Sequence, residues 1–265
     1  MGTPPWLAWT QRAPRALGRR HCLLTGPLAD LRRGRDARLG TGTVSVSVLD
    51  DSSPQEGTMT SSTQVEVFAD VLCPFTHVGL RRLVERRESL GRTDVGLWVR
   101  SWPLEVVNGH PLDAAFIAEE VLEIREQVAP DLFAGFDPEA WPATAIPALA
   151  LAVAAYRVSP ITGEAVSLEL RHRLFERGED ISDADVLAEV SGAYGVETSD
   201  DDVIGVHREH AEGVKRKVTG SPHFFTAHQS FFCPVLKVGR DEDGALRVRP
   251  DHEGFDQFME ACFGI

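Results

Sequence analysis

The sequence predicts an α/β fold in which a block of helices interrupts a sheet, and three observations carry that prediction. A hydrophobic strand, Val65-Glu-Val-Phe-Ala-Asp70, gives way at Cys73 to the helix-like run Phe75 to Val84. From about Leu112 to Lys217 the texture is helical. Strand texture returns at Pro222, so a βαβ half and a ββα half flank the helices.

The elements follow in order. Residues 1–63 hold eight Arg, no Lys and five acids among Gly, Pro, Ser and Thr, without periodicity. That composition predicts a disordered or misannotated extension, with Met59 as an alternative start. Arg19-Arg20 precedes an apolar stretch too short for an export signal and broken by Gly26 and Pro27. After the first strand and helix, Asp94 to Leu104 alternates as a second strand, which implies a right-handed crossover and a parallel pair. In the helical block, Ala115 to Gln127 is amphipathic, Ala148 to Val158 is apolar on nearly all sides, and Leu168 to Glu176 continues the pattern. Ser182-Asp-Ala-Asp185 caps a further helix that stops at Gly195. The stretches Pro222 to Ala227 and Ser230 to Val238 read as one antiparallel hairpin, closed off by a turn at Asp241 to Gly244, before a last helix from about Gly254 to Cys262.

Composition narrows the function. The net charge of −13 argues against nucleic acid or an anionic membrane surface as partner, and no apolar run reaches transmembrane length. Four cysteines, Cys22, Cys73, Cys233 and Cys262, include no Cys-x-x-Cys pair and no zinc spacing. His207 and His210 lack a third ligand, so they and Glu209 read as a solvated face, as do the acid runs Asp200 to Asp202 and Asp241 to Asp243. No metal is expected. Trp98 and Trp102 read as core or interface residues, Cys262 as core, and Cys22 as incidental.

Cys73 is the residue with chemical promise. It stands at a strand-to-helix junction, among unpaired N–H groups at the positive end of a helix dipole, and Pro74 at the first helical position loses no hydrogen bond. These features favour the thiolate, so the expectation is a pKa below that of a free cysteine, with Cys73 at a cleft surface. His77, a turn away at the cleft rim, and His223 are further candidates to titrate near neutrality.

This order of elements, with Cys73-Pro74 after the first strand and Gly220-Ser221-Pro222 opening the hairpin, resembles the DsbA family of the thioredoxin-like superfamily. The resemblance covers residues 64–265. It implies a thioredoxin-like domain from 64–111 and 218–265, an inserted helical domain at 112–217, and a cis bond before Pro222, with Ser221 presenting its backbone to a substrate or thiol. Gly178-Glu-Asp-Ile-Ser-Asp183 is similar to a segment of the branch holding 2-hydroxychromene-2-carboxylate isomerases, kappa-class glutathione transferases and polyketide-pathway oxidoreductases. Gly220 to Phe225 with Phe231-Phe-Cys-Pro234 resembles actinobacterial members.

The chain departs from the disulfide-exchanging pattern at Thr76, which stands at the position of the resolving cysteine in Cys73-Pro74-Phe75-Thr76. The leading expectation is therefore a monothiol oxidoreductase of the cytoplasm, with Thr76 hydrogen-bonded to the sulfur and an external thiol completing turnover. It would act on small-molecule or peptide disulfides, and a homodimer is among the assemblies open to it. No cofactor is expected to be tightly bound; glutathione or mycothiol would serve as co-substrate, and 24 Arg against three Lys, a GC-rich signature, favours mycothiol. Two other readings stay open: a thiol-dependent isomerase or transferase on a small hydrophobic substrate, and a non-catalytic binding module. Cys233 is either a core residue or a non-local resolving cysteine, because a one-residue slip in hairpin register turns it to the other face.

Overall fold

The computed structural model describes residues 63–264, so the expectations for residues 1–62, including Cys22 and the start at Met59, lie outside the described residues. Strand β1 (Thr63–Ala69) leads through helix α1 (Pro74–Ser89) to β2 (Val95–Ser101), which pairs parallel to β1. The 2-residue periodicity that marks β2 is visible in its strict alternation of buried and half-buried residues. On the other side of β1 lie β3 (His223–Phe225) and then β4 (Ser230–Phe232), both antiparallel to their neighbours. The sheet order is β2-β1-β3-β4, a mixed sheet assembled from both ends of the described chain.

Between β2 and β3 run α2 (Leu104–Asn108), α3 (Ala114–Gln127), a short 3-10 turn (Pro138–Ala140), α4 (Ile146–Val158), α5 (Pro160–Arg177), α6 (Ala184–Tyr194) and α7 (Asp200–Lys215). These helices dress the exposed edge of β2. A sheet edge presents a row of unpaired backbone groups, and leaving them unpaired in a buried setting is costly. Here alternate N–H groups of β2 each find a side chain: Leu97 N–H donates to Glu164 Oε2 (2.8 Å), Val99 N–H to Tyr156 Oη (2.8 Å) and Ser101 N–H to Glu209 Oε2 (2.7 Å). The Tyr156 hydroxyl then donates to the Leu97 carbonyl at 3.2 Å.

Several sequence expectations are corrected. Glu209 does not lie on a solvated face but caps this edge, and His210 packs on Trp102 with ring centroids 4.8 Å apart. The acid run Asp200 to Asp202 is no loop. It forms the first turn of α7, where acidic side chains suit the positive end of the helix dipole, and Ser199 with Asp202 makes a capping box. The stretch from Ser230 to Val238 is two strands. Cys233, at φ +45°, breaks the chain after β4, and β5 (Leu236–Arg240) then pairs with β6 (Leu246–Pro250) in a separate two-stranded sheet. The Asp241 to Gly244 turn closes that second hairpin, and α8 (His252–Phe263) follows.

Two apolar clusters hold these layers. One, with Val65, Val67, Leu80, Leu83, Phe224 and Phe258, lies between the sheet, α1 and α8. The other runs from Phe68 and Cys73 through Trp102 and Ile117 into the helical block. Close backbone approach is needed at Gly213, where a Cβ would fall 2.6 Å from the Trp102 ring.

Candidate active site

Cys73 is the N-cap of α1 in extended conformation, and Pro74 opens the helix; the first helical bond runs from His77 N–H to the Cys73 carbonyl. Opposite it lies the segment leading into β3. The Ser221–Pro222 peptide bond is cis, and the Cys73 thiol donates to the Ser221 carbonyl with Sγ at 3.3 Å. The Thr76 hydroxyl lies 2.9 Å from the Ser221 hydroxyl, which in turn accepts the Asp70 N–H at 2.9 Å. With its lone pair occupied by that N–H, the Ser221 hydroxyl has its proton to give to Thr76, and the Thr76 proton is then available to the Cys73 sulfur. Gly220 permits the tight loop, since a Cβ there would meet the Phe232 ring at 2.7 Å.

The expectation of an acidic, surface-exposed thiol is overturned. Cys73 is only 3% exposed, and burial pushes its thiol up to about 11, against the downward pull of hydrogen bonds from Ser221 and Thr76. The helix terminus is present, but desolvation of the charged sulfur outweighs it.

Beneath Cys73 the chain is braced by a buried polar pair. Asp70 accepts Leu72 N–H (2.8 Å) and Leu104 N–H (2.5 Å) with its two carboxyl oxygens, and burial raises its pKa to about 6. Arg171, also buried, donates to the Asp70 and Ser167 carbonyls at 3.2 and 2.8 Å. Sequence reasoning singled out neither residue.

The two histidines are not where they were expected. His77 is buried, not at a rim. Its Nε2 sits 2.6 Å from Glu176 Oε1, its ring packs against Phe133 and Phe175, and burial lowers its pKa. His223 is buried and stacked on Phe225 at 4.6 Å, with Nδ1 accepting Thr219 N–H (3.2 Å). Burial and the nearby Arg216 lower it to about 4, so it is neutral at physiological pH. Neither ring lines the cavity that opens beside Cys73.

That cavity, of about 170 Å³, is walled by Cys73, Pro74 and Phe75 on one side, Trp102, Leu104 and Leu112 on another, and Leu236, Val238 and Leu246 on a third. Ser221 and Cys233 close it, with Cys233 N–H held on the Pro222 carbonyl at 3.0 Å. Cys73 and Cys233 therefore share one apolar cavity, both as free thiols. Burial, with Cys73 nearby, pushes the Cys233 pKa strongly upward. Glu120 of α3 is the only carboxyl among the described lining residues, and no Lys, Arg or His is among them. Among the described residues no three His, Cys, Asp or Glu gather as a metal site, and no helix is long and apolar enough to cross a membrane.

A cysteine at the head of the helix after β1, facing a cis proline across a sheet interrupted by helices, defines a thioredoxin-like protein. A family model for the DSBA-like thioredoxin domain matches residues 64–237, and the chain belongs to that family. No protein with a curated description matches. Among solved structures, a candidate protein disulfide isomerase from Nitrosomonas europaea is 13% identical over 75% of this chain and 98% of its own, with a TM-score of 0.51. Cytosolic disulfide reductase DsbM from Pseudomonas aeruginosa, solved with GSH, is 15% identical over 63% of this chain and 87% of its own, with a TM-score of 0.50. A 2-hydroxychromene-2-carboxylate isomerase is 14% identical over 64% and 88%, with a TM-score of 0.49. At these identities the likeness is one of fold.

Proposed function

We propose that the protein is a thiol–disulfide oxidoreductase that works through a single cysteine, Cys73, and turns over with a low-molecular-weight thiol. The observation that carries this reading is the Cys73–Thr76–Ser221 arrangement: a thiol on the cavity wall, with a hydroxyl where a resolving thiol would stand, tied to Ser221 at 2.9 Å. In the forward step the Cys73 sulfur attacks a disulfide, one S–S bond forms as another breaks, and the departing sulfur leaves as a thiol once protonated. An external thiol then attacks the mixed disulfide and returns Cys73 to its free form. Thr76 and Ser221 hold the sulfur and steady the negative charge it acquires.

The character of the cavity bears on the co-substrate. Its described walls carry no cation to receive a carboxylate, which supports an uncharged thiol of the mycothiol kind over glutathione with its two carboxylates. A reducing compartment, the cytoplasm, is the setting this chemistry needs, because Cys73 must stay free between turnovers.

A second reading, a thiol-dependent isomerase or transferase acting on a small hydrophobic molecule, is supported by the apolar walls and the protonated resting thiol. Reduction of 2-hydroxyethyl disulfide coupled to mycothiol, followed for wild type and Cys73→Ser, separates them. The oxidoreductase reading expects activity that vanishes in Cys73→Ser. Saturable thiol binding that survives Cys73→Ser, with no disulfide reduction by wild type, would replace it with the second reading; a non-catalytic module shows neither.

A further inference from the structure

Glu120 is 6% exposed, lines the cavity beside Cys73, and forms no hydrogen bond or ion pair with any described residue. Its neighbours on α3 are employed otherwise: Glu119 pairs with Arg240 and Glu123 with Arg247. A buried carboxyl without a partner is costly to the fold, so this one calls for an explanation outside packing. What shares the cavity wall with it is sulfur, from Cys73 and Cys233.

We propose that Glu120 is the proton acceptor for Cys73, taking the thiol proton as the sulfur attacks and passing it to the thiolate that leaves. The inference rests on the reading of Cys73 as the nucleophile. Written out, Cys73–SH, the Glu120 carboxylate and a disulfide give the Cys73 mixed disulfide, one free thiol and the carboxylate again; no electron source is needed beyond the thiol itself.

No other titratable group near the sulfur is free for this task. Both carboxyl oxygens of Asp70 accept backbone N–H groups, His77 is held by Glu176 among phenylalanines, and His223 is stacked away from the cavity. Arg171 is engaged with backbone carbonyls below the site. The charges on elements packed against α3 are also committed. Arg240 of β5 faces Glu119, Arg247 of β6 faces Glu123 and Asp241, Arg82 of α1 faces Asp131 and Glu85, and Glu139 of the 3-10 turn is exposed. Burial, reinforced by Glu119, raises Glu120 to about 8, which suits a group that must both take and give a proton near neutrality. With Cys73 pushed up to about 11, only about one thiol in ten thousand is ionised at pH 7, so attack needs an acceptor at hand.

The test uses the full chain and 2-hydroxyethyl disulfide, an uncharged probe, with Glu120→Gln and Glu120→Asp. Two readouts move in opposite directions if Glu120 accepts the proton. Alkylation of Cys73 by iodoacetamide should titrate at lower pH in Glu120→Gln, because a like charge is gone, while mixed-disulfide formation at about pH 7 slows at least tenfold. Glu120→Asp should recover part of the rate. A Glu120→Gln protein that forms the mixed disulfide as fast as wild type overturns the proposal. Should Glu120→Gln fail to fold, the wild-type profile decides alone: a rate rising through an ionisation near 8 supports Glu120, and a rate that follows only the thiol contradicts it. Absence of any adduct on wild-type Cys73 between about pH 6 and 10 defeats the nucleophile reading and this inference together; an adduct indifferent to Glu120 defeats this inference only.

Discussion

The Thr76 hydroxyl lies 2.9 Å from the Ser221 hydroxyl, bridging the helix that carries Cys73 to the segment ahead of β3, 145 residues later in the chain. The contact occupies the position where a second cysteine would make a local disulfide partner. It converts that position from a redox group into a hydrogen-bonding one.

Thr76→Val tests that conversion. Thr76 holds the Cys73 pKa down, so removing its hydroxyl should raise the pKa further and leave less thiolate at every pH below it. A thiol pKa higher by about one leaves roughly a tenth of the thiolate near neutrality, and alkylation should slow in proportion. Because Thr76 is fully buried and Ser221 loses a partner, stability should also fall by about 1–2 kcal/mol in urea denaturation.

His223 sets a pH dependence of stability whose sign is fixed. Its folded pKa, about 4, is depressed by burial below the ordinary value of 6.5, so the unfolded chain binds the proton more readily. The stability gained from keeping it neutral is complete above about pH 6.5 and is lost as pH falls toward 4, on the order of 3 kcal/mol in all. Asp70 runs the other way, since its folded pKa is raised, but that contribution is common to wild type and His223→Phe and cancels in their difference. Urea midpoints of the two proteins should converge or cross on acidification; a difference constant from about pH 7 to 4 would contradict the assignment.

Glu209→Leu should cost about 1–3 kcal/mol, because it strands the Ser101 N–H at the buried edge of β2. Thermal or urea unfolding measures it, and alkylation of Cys73 in the folded variant should be unchanged.

The βαβ start is legible in the sequence because β1, β2 and the Cys73-Pro74 helix opening each carry a local signal of period or capping. Ser199 and Asp202 carry a readable capping-box signal too, which the row of three aspartates obscures. The break at Cys233 is not readable: a non-glycine residue with positive φ is set by tertiary packing and leaves no trace in hydrophobic alternation. Glu120 looks like any acid on an amphipathic helix that also carries Glu119, Glu123 and Glu126, and only the cavity on its side of α3 distinguishes it. The thiol pKa is misjudged from sequence for a related reason. Helix position is written in the residue order, whereas the desolvation that outweighs it depends on walls contributed by Trp102, Leu236 and Leu246.

The central claim, that Cys73 alone carries the exchange and an outside thiol completes it, is tested most directly by intact mass after exposure to 2-hydroxyethyl disulfide. Wild type, Cys73→Ser and Cys233→Ser are treated, freed of reagent, and weighed before and after mycothiol is added. The expected result is a single adduct at Cys73 in both wild type and Cys233→Ser, stable until the thiol arrives, and none at position 73 in Cys73→Ser. Spontaneous release by wild type with trapping in Cys233→Ser would contradict the account and make Cys233, across the same cavity, the resolving partner.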